Sequence, residues 1–469
     1  MTHSFSSLPL PQQMLENLDS LNYHTMTPIQ AESLPILLQG KDVIAQAQTG
    51  SGKTAAFGIC LLNRLKVKRF RVQSLVLCPT RELAFQVAKE IRRLARFTHN
   101  VKVLALCGGT PVGPQLDSLA HGAHIVVGTP GRVLHHLRKK SLSLIALNTL
   151  VLDEADRMLD MGFEEDLHAI LDACPKKKQA LLFSATYPKH IQAISQSFQR
   201  DPVQIKVQSE QTENHIQQVL YTVEDAQEKF DVLEKLLFYH RPEQALIFCN
   251  TKVDSDDLAH ALRRSGITAL AIHGDLDQKQ RTEVLTLFAN KSCTVLVATD
   301  VAARGLDIKG LEMVLTFDLP KDPKVHIHRI GRTGRAGEKG LAISLAGPKD
   351  RRRIRGIEDA LEQALPRGEF ETIQGASTEP ILPEMVTLCL DGGKKRKVRP
   401  GDILGALTKD AGLPGKHIGK IDIFDFQSYI AVHHSIAKKA LQHFRHGKVK
   451  GRKFKVRQFR MLLGSEETT

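Results

Sequence analysis

No stretch of about 18 consecutive apolar residues occurs in this sequence, so no segment is suited to cross a membrane as a helix. The opening residues, Met1 to Leu18, are polar and broken by Pro9 and Pro11. They lack the basic-then-apolar layout of a secretory leader. Paired cysteines are also missing. Cys60, Cys78, Cys107, Cys174, Cys249, Cys293 and Cys389 are scattered through apolar, strand-like runs without any CxxC spacing. Neither a zinc site nor a disulfide framework is indicated, and buried free thiols in a reducing cytoplasm are expected.

What is present is length, apolar content and an uneven positive charge. The chain has 469 residues, 42% of them hydrophobic, enough for two to four domains with sizeable cores. Its formal net charge is +14, and from residue 381 onward 18 Lys and Arg face 8 Asp and Glu. A basic tail domain on a nearly balanced body points to nucleic acid.

The stretch Ala47-Gln48-Thr49-Gly50-Ser51-Gly52-Lys53-Thr54 follows a short apolar run and precedes a helix-compatible one. It fits a P-loop, with Ala47 where Gly often stands. Gly50 and Gly52 allow a tight turn that aims the N–H groups of Thr49 to Thr54 into one phosphate cradle, at the positive end of a helix. Lys53 can reach the β- and γ-phosphates, and the Thr54 hydroxyl can hold Mg²⁺. Upstream, the Gln30 amide matches the donor–acceptor edge of adenine. Tyr23 can stack on that base with Phe5 behind it. Strand-length apolar runs then alternate with helical stretches and end in polar residues: Pro79-Thr80-Arg81, Gly108-Gly109, Thr129-Pro130-Gly131-Arg132, Asp153-Glu154-Ala155-Asp156 and Ser184-Ala185-Thr186. That pattern predicts a parallel α/β sheet with its ligands beyond the carboxyl ends of the strands. Asp153 can hold Mg²⁺ through water, and Glu154 can orient and deprotonate the water that attacks the γ-phosphate.

These segments, in this order, resemble the DEAD-box RNA helicases. The resemblance implies a RecA-like first domain in which Tyr23 and Gln30 read adenine. It further implies that Arg81, Gly109, Thr129 and Arg132 touch RNA phosphates and that Ser184 and Thr186 couple hydrolysis to strand separation. Asn22 stands where the family pattern normally has Gly before the aromatic.

Residues 201–214 are polar and read as a linker. A second α/β series follows, without a P-loop. It carries Ala303-Arg304-Gly305-Leu306-Asp307 and His328-Arg329-Ile330-Gly331-Arg332-Thr333-Gly334-Arg335. Arg332 and Arg335, three apart, would share one helix face and suit a transferring phosphoryl group, which implies a composite site formed on closure. By resemblance these are the arginine fingers, Asp307 contacts the ribose, and His273, Gly274 and Thr299 contact RNA.

Gly368 to Pro383 reads as a second linker, and the order βαββαβ after it as a small RNA-recognition domain. Its first strand has no aromatic and its third only Tyr429, so base stacking on the sheet is expected to be poor. Lys394, Lys395, Arg396, Lys397, Arg399, Lys448, Lys450, Arg452, Lys453 and Lys455 offer phosphate contacts instead. The segments Gly392-Gly393-Lys394-Lys395 and Arg399-Pro400-Gly401-Asp402-Ile403-Leu404-Gly405-Ala406-Leu407 resemble the DbpA subfamily of these helicases. That likeness implies an address on a hairpin of large-subunit ribosomal RNA.

The expected architecture is two RecA-like domains, 1–205 and 215–365, and an RRM-like domain, 381–460. The expected function is an ATP- and Mg²⁺-dependent RNA helicase, monomeric and cytoplasmic, that opens short duplexes in pre-ribosomal particles of the large subunit. An ATP-switched RNA clamp without productive unwinding carries the same motifs, and a preference for RNA over DNA rests on the family likeness alone.

Overall fold

Apolar runs of four to six residues bury both faces only when strands pair in parallel between layers of helices. The computed structural model describes residues 4–47, 50–207, 216–303, 310–334, 340–373, 375 and 378–459. Thr49, Asp307 and Arg335 lie outside them. The described residues divide into two compact units, 4–207 and 216–459.

The first unit holds seven parallel strands: β1 (Val43–Gln46), β2 (Ser74–Leu77), β3 (Val103–Leu106), β4 (Ile125–Gly128), β5 (Thr149–Asp153), β6 (Gln179–Ser184) and β7 (Val203–Lys206). Their order is β3-β4-β2-β5-β6-β1-β7. Alternate residues feed two cores, one on each face: Val43 and Ala45 pack on one side, Ile44 on the other. The register sets Gln46 opposite Ser184 and Asp153 opposite Phe183. The P-loop, Ser184-Ala185-Thr186 and Asp153-Glu154 therefore leave neighbouring strands at the same edge.

The second unit begins with six parallel strands: β8 (Ile216–Thr222), β9 (Ala245–Cys249), β10 (Ala269–Ile272), β11 (Val295–Thr299), β12 (Met313–Thr316) and β13 (Gly340–Ala346), in the order β10-β11-β9-β12-β13-β8. It ends with four antiparallel strands: β14 (Met385–Leu390), β15 (Ile418–Ile423), β16 (Ser428–His433) and β17 (Val456–Gln458), in the order β15-β16-β14-β17. Helices Pro400–Gly405 and His434–His446 contribute Ile403, Ile436 and Phe444 to the core on one face of that sheet. Two RecA-like domains and a βαββαβ domain are thus the architecture. All seven cysteines are buried free thiols.

Both supposed linkers carry structure. Within 201–214, Val203–Lys206 forms β7, an edge strand with only Ile205 buried. Edge strand β8 was also hidden, because Gln217 and Gln218 break its apolar run. Gly368 lies against the ring of Tyr221, where a Cβ would come within 2.3 Å, and its N–H donates to the Leu220 carbonyl. Ile373 and Ile381 are buried in the core of the six-stranded sheet, and Ile381 pairs with Ile267. The last helix is capped by His433, which accepts from the Ser435 N–H.

The second face of the four-stranded sheet is covered as well. Thr387, Cys389, Tyr429 and Ala431 alternate with the core residues yet are at most 3% exposed. Asn290 Nδ2 donates to Thr387 Oγ1 at 3.1 Å, and Ser292 Oγ lies 2.7 Å from it. Tyr429 Oη donates to Glu283 Oε1 at 3.3 Å, and Arg457 Nη2 donates to the same oxygen at 3.2 Å. Tyr429, expected from the sequence among the RNA-binding residues, is buried here, with its hydroxyl bonded to Glu283 on helix Gln278–Ala289 and its ring beside Phe424 and Phe459. Thr387→Val would leave the Asn290 amide buried without its acceptor, a cost of ~1–3 kcal/mol. Hydrogen exchange of the β14 amides should speed up accordingly, and unchanged protection would show the contact to be idle.

Candidate nucleotide and RNA site

Helix Lys53–Asn63 starts from Gly52, whose φ of +97°, with +90° at Gly50, is open to glycine and strained for other residues. A Cβ on Gly52 would also sit 2.5 Å from Gln30 Nε2. Lys53 is buried, and its Nζ donates to the Ala47 carbonyl at 2.6 Å. The lysine is thus held inside the loop by a neutral acceptor that a phosphate oxygen would outcompete. The Gln30 amide faces the loop too. Its oxygen accepts from Thr27 N–H, and its Nε2 donates to the Gly52 carbonyl. The Gln30 segment and the glycine-rich loop are therefore hydrogen-bonded to each other. Tyr23 Oη donates to Glu90 and accepts from Arg93, and burial, then Glu90, pushes the phenol up to about 12. Phe5 is buried edge-on to Tyr23, their centroids 6.1 Å apart.

Asp153 closes β5 at 3% exposure. Burial pushes its carboxyl up to about 7 against the opposing pull of Lys53. Glu154 adopts φ +54°, a conformation that throws its side chain off the strand line, and its Oε2 accepts from Arg157 Nη1 at 2.8 Å. Asp156 connects this turn to the next strand end. Its Oδ2 accepts from Ala185 N–H, Thr186 N–H and Thr186 Oγ1 at 3.1, 2.9 and 3.0 Å. Its own N–H donates to Ser184 Oγ at 3.3 Å. Sequence reasoning named Asp156 only as part of a motif and missed Arg157. The fixed offset of Asp156 from Asp153 was the available signal.

The ends of β2, β3 and β4 gather a basic group. Arg81 lies on the backbone of Gly108 and Gly109, where a Cβ on Gly109 would overlap its guanidinium. Arg132 Nη1 donates to the Thr110 carbonyl and to Gln115 Oε1, both at 3.1 Å. Gln115, buried and paired with His136, is a positioning residue that the sequence did not single out. Thr129 precedes helix Pro130–Arg138.

In the second unit His273 and Gly274 follow β10 and Thr299 ends β11, again at strand carboxyl ends. His273 Nε2 lies 3.0 Å from Asp256. Arg332 is buried just beyond helix Pro323–Ile330, not on it, because the helix stops before Gly331. The missed residue here is Arg329, 1% exposed, which binds both oxygens of Asp300 at 2.7 Å, donates to Asn250 Oδ1 and lies over the Phe248 ring. In the C-terminal domain Lys394 to Lys397, Arg399, Lys448, Lys450, Arg452 and Lys453 are all exposed. Lys450 Nζ donates to the Lys397 carbonyl, drawing two of these basic loops together.

A nucleotide cradle, adjacent acids and a basic strand-end surface define a nucleotide-driven machine that works on nucleic acid, and comparison with known proteins agrees. Residues 27–194 match the DEAD/DEAH box helicase family and residues 228–337 the helicase conserved C-terminal domain. Residues 387–458 match the DbpA RNA binding domain. The chain is 53% identical to the ATP-dependent RNA helicase DbpA of Escherichia coli over 97% of its own length and 99% of that protein. It is 46% identical to the DEAD-box ATP-dependent RNA helicase CshA of Bacillus cereus over 80% of this chain and 71% of that one. Among solved structures, S. cerevisiae Dbp5 bound to RNA and ADP BeF3 matches with a TM-score of 0.72 at 32% identity, covering 78% of this chain and 95% of that chain. The chain belongs to the DEAD-box ATP-dependent RNA helicases of the DbpA type.

Asp156→Asn replaces a carboxylate that accepts from both sides with an amide whose NH₂ must face one of those donors. RNA-stimulated hydrolysis should fall by about ten-fold or more, and release of a short duplex should fall further. Assaying both on one preparation checks the ratio; equal losses would limit Asp156 to a structural role.

Proposed function

We propose that this helicase acts on large-subunit ribosomal RNA during assembly of the large ribosomal subunit, in the cytoplasm and as a monomer, with the C-terminal domain binding a hairpin of that RNA. The observation that carries the reading is the cluster of exposed cations on a domain whose sheet is docked to the second helicase domain. A domain attached in that way holds bound RNA near the motor and raises the local concentration of the duplex to be opened.

Within the motor, Gly50, Ser51, Gly52, Lys53 and Thr54, with Thr49, bind the triphosphate, and Phe5, Tyr23 and Gln30 the base. Asp307 contacts the ribose. Hard oxygen donors at Asp153 and Thr54 fit Mg²⁺, and a divalent cation there would oppose the upward push that burial gives the Asp153 carboxyl. That cation would neutralise charge on the phosphates. Glu154, oriented by Arg157, takes the proton of the attacking water, while Arg332 and Arg335 stabilise the transferring phosphoryl group. Arg81, Gly109, Thr129, Arg132, His273, Gly274 and Thr299 grip one RNA strand, and Asp156 passes the state of the nucleotide to Ser184 and Thr186.

Glu154→Gln should still bind ATP and RNA while hydrolysis slows by about 10²–10⁴-fold; normal turnover would remove Glu154 from this role. The address is tested by titrating the ATPase of the full chain with fragments of large-subunit RNA and with unrelated RNA of equal length. Half-maximal stimulation at much lower concentration is expected for one hairpin-containing fragment, and equal stimulation by all would refute it. ATP-driven displacement of a strand next to that hairpin reports unwinding directly.

A further inference from the structure

Phe426 is 72% exposed at the turn between β15 and β16, and Phe424 is 36% exposed. Phe424 meets the Tyr429 ring edge-on at 5.5 Å. The turn is joined to the loop that carries four consecutive cations. Lys394 N–H donates to the Phe424 carbonyl at 2.8 Å and Lys395 N–H to the Asp425 carbonyl at 2.9 Å. Gly393 permits this approach, since a Cβ there would fall 2.2 Å from the Phe424 oxygen. Gly392 permits a second: its Cβ would strike the ring of Phe454, over which Arg396 lies. The turn that carries the exposed Phe426 is therefore fixed next to the loop of Lys394, Lys395, Arg396 and Lys397.

An exposed aromatic plane beside clustered cations has the chemistry of a single-stranded RNA site: a base stacks on the ring while the adjoining phosphates meet the cations. Asp425 in the same turn is also exposed, but the adjoining loop presents four consecutive cations, which suits a phosphate backbone better than a protein partner. The usual place for stacking on such a sheet is closed, because Thr387 and Tyr429 are buried and bonded to Asn290, Ser292 and Glu283. We propose that Phe426 is the base-stacking residue of the C-terminal domain, taking an unpaired base whose flanking phosphates are held by Lys394 to Lys397. This deepens the RNA-address reading above and rests on it.

The chain has no tryptophan, so Phe426→Trp places a single reporter at the site. Its emission in the full-length protein should be quenched by a large-subunit hairpin fragment with unpaired loop bases. Phe426→Ala should weaken binding of that fragment by about 5- to 100-fold in fluorescence anisotropy, with an unchanged salt slope. Phe426→Tyr should restore the affinity and Phe426→Leu should not. Lys395→Gln, by contrast, should flatten the slope of log affinity against log salt by about 0.7. The proposal is overturned if the fragment binds Phe426→Trp with unmoved emission and binds Phe426→Ala as tightly as the parent chain. If an unrelated single-stranded RNA quenches the tryptophan equally and binds equally, the stacking site stands and the ribosomal address falls.

Discussion

One carboxylate oxygen holds the turns after two neighbouring strands of the first domain together. Asp156 Oδ2 accepts three hydrogen bonds from Ala185 and Thr186, and the Asp156 N–H returns one to Ser184. Hydrogen bonds to an ionised group contribute about 1.5–3 kcal/mol each. The acidic turn after β5 therefore cannot move without the turn after β6. This works only because parallel pairing puts those two strand ends side by side, with Asp153 opposite Phe183. Inserting one residue into either strand would flip the side chains beyond it to the opposite face and break the connection.

The second helicase domain has its own anchor of the same kind. Arg329 is fully buried, and its cost of desolvation is offset by two bonds to Asp300, one to Asn250 and the face of Phe248. Those partners come from the ends of β9 and β11. The helix that carries Arg329 ends at Ile330, so the bonds also fix where Arg332 begins its turn. Removing the carboxylate of Asp300 would leave a buried guanidinium uncompensated, a worse outcome than never having built the pair.

How far all this could be read from the chain depended on which residues announce themselves. The strands at the middle of each parallel sheet did, because burial on both faces leaves unbroken apolar runs such as Leu150-Val151-Leu152. Edge strands β7 and β8 did not: with one flank unpaired they keep polar residues and look like linkers. The same held for 368–383, where Phe370, Ile373 and Ile381 are spaced too widely to show a period, although each packs on the six-stranded sheet. Motif residues were legible as a set, but their partners were not. Arg157, Gln115 and Arg329 act by holding another side chain, and nothing in linear spacing reveals which side chain that is. The helix expected to carry Arg332 stops at Ile330, two residues short of it.

The C-terminal domain shows why a familiar fold does not by itself locate its ligand. Counting aromatics on its strands gave one reason to discount the sheet for stacking, and another lies outside the domain. Thr387 and Tyr429 are polar residues on an outward face, and they make sense only once Asn290, Ser292 and Glu283 are seen opposite them. A small hydroxyl and a phenol suit a packed, hydrogen-bonded seam better than a nucleobase platform. With that face closed, the proposed RNA contacts fall to the loops, and it is there that the glycines at 392 and 393 bring the cations and the turn of Phe426 to one end of the domain. Docking the sheet and freeing the loops are one design: closing one face leaves the basic loops as the exposed cationic surface of the domain.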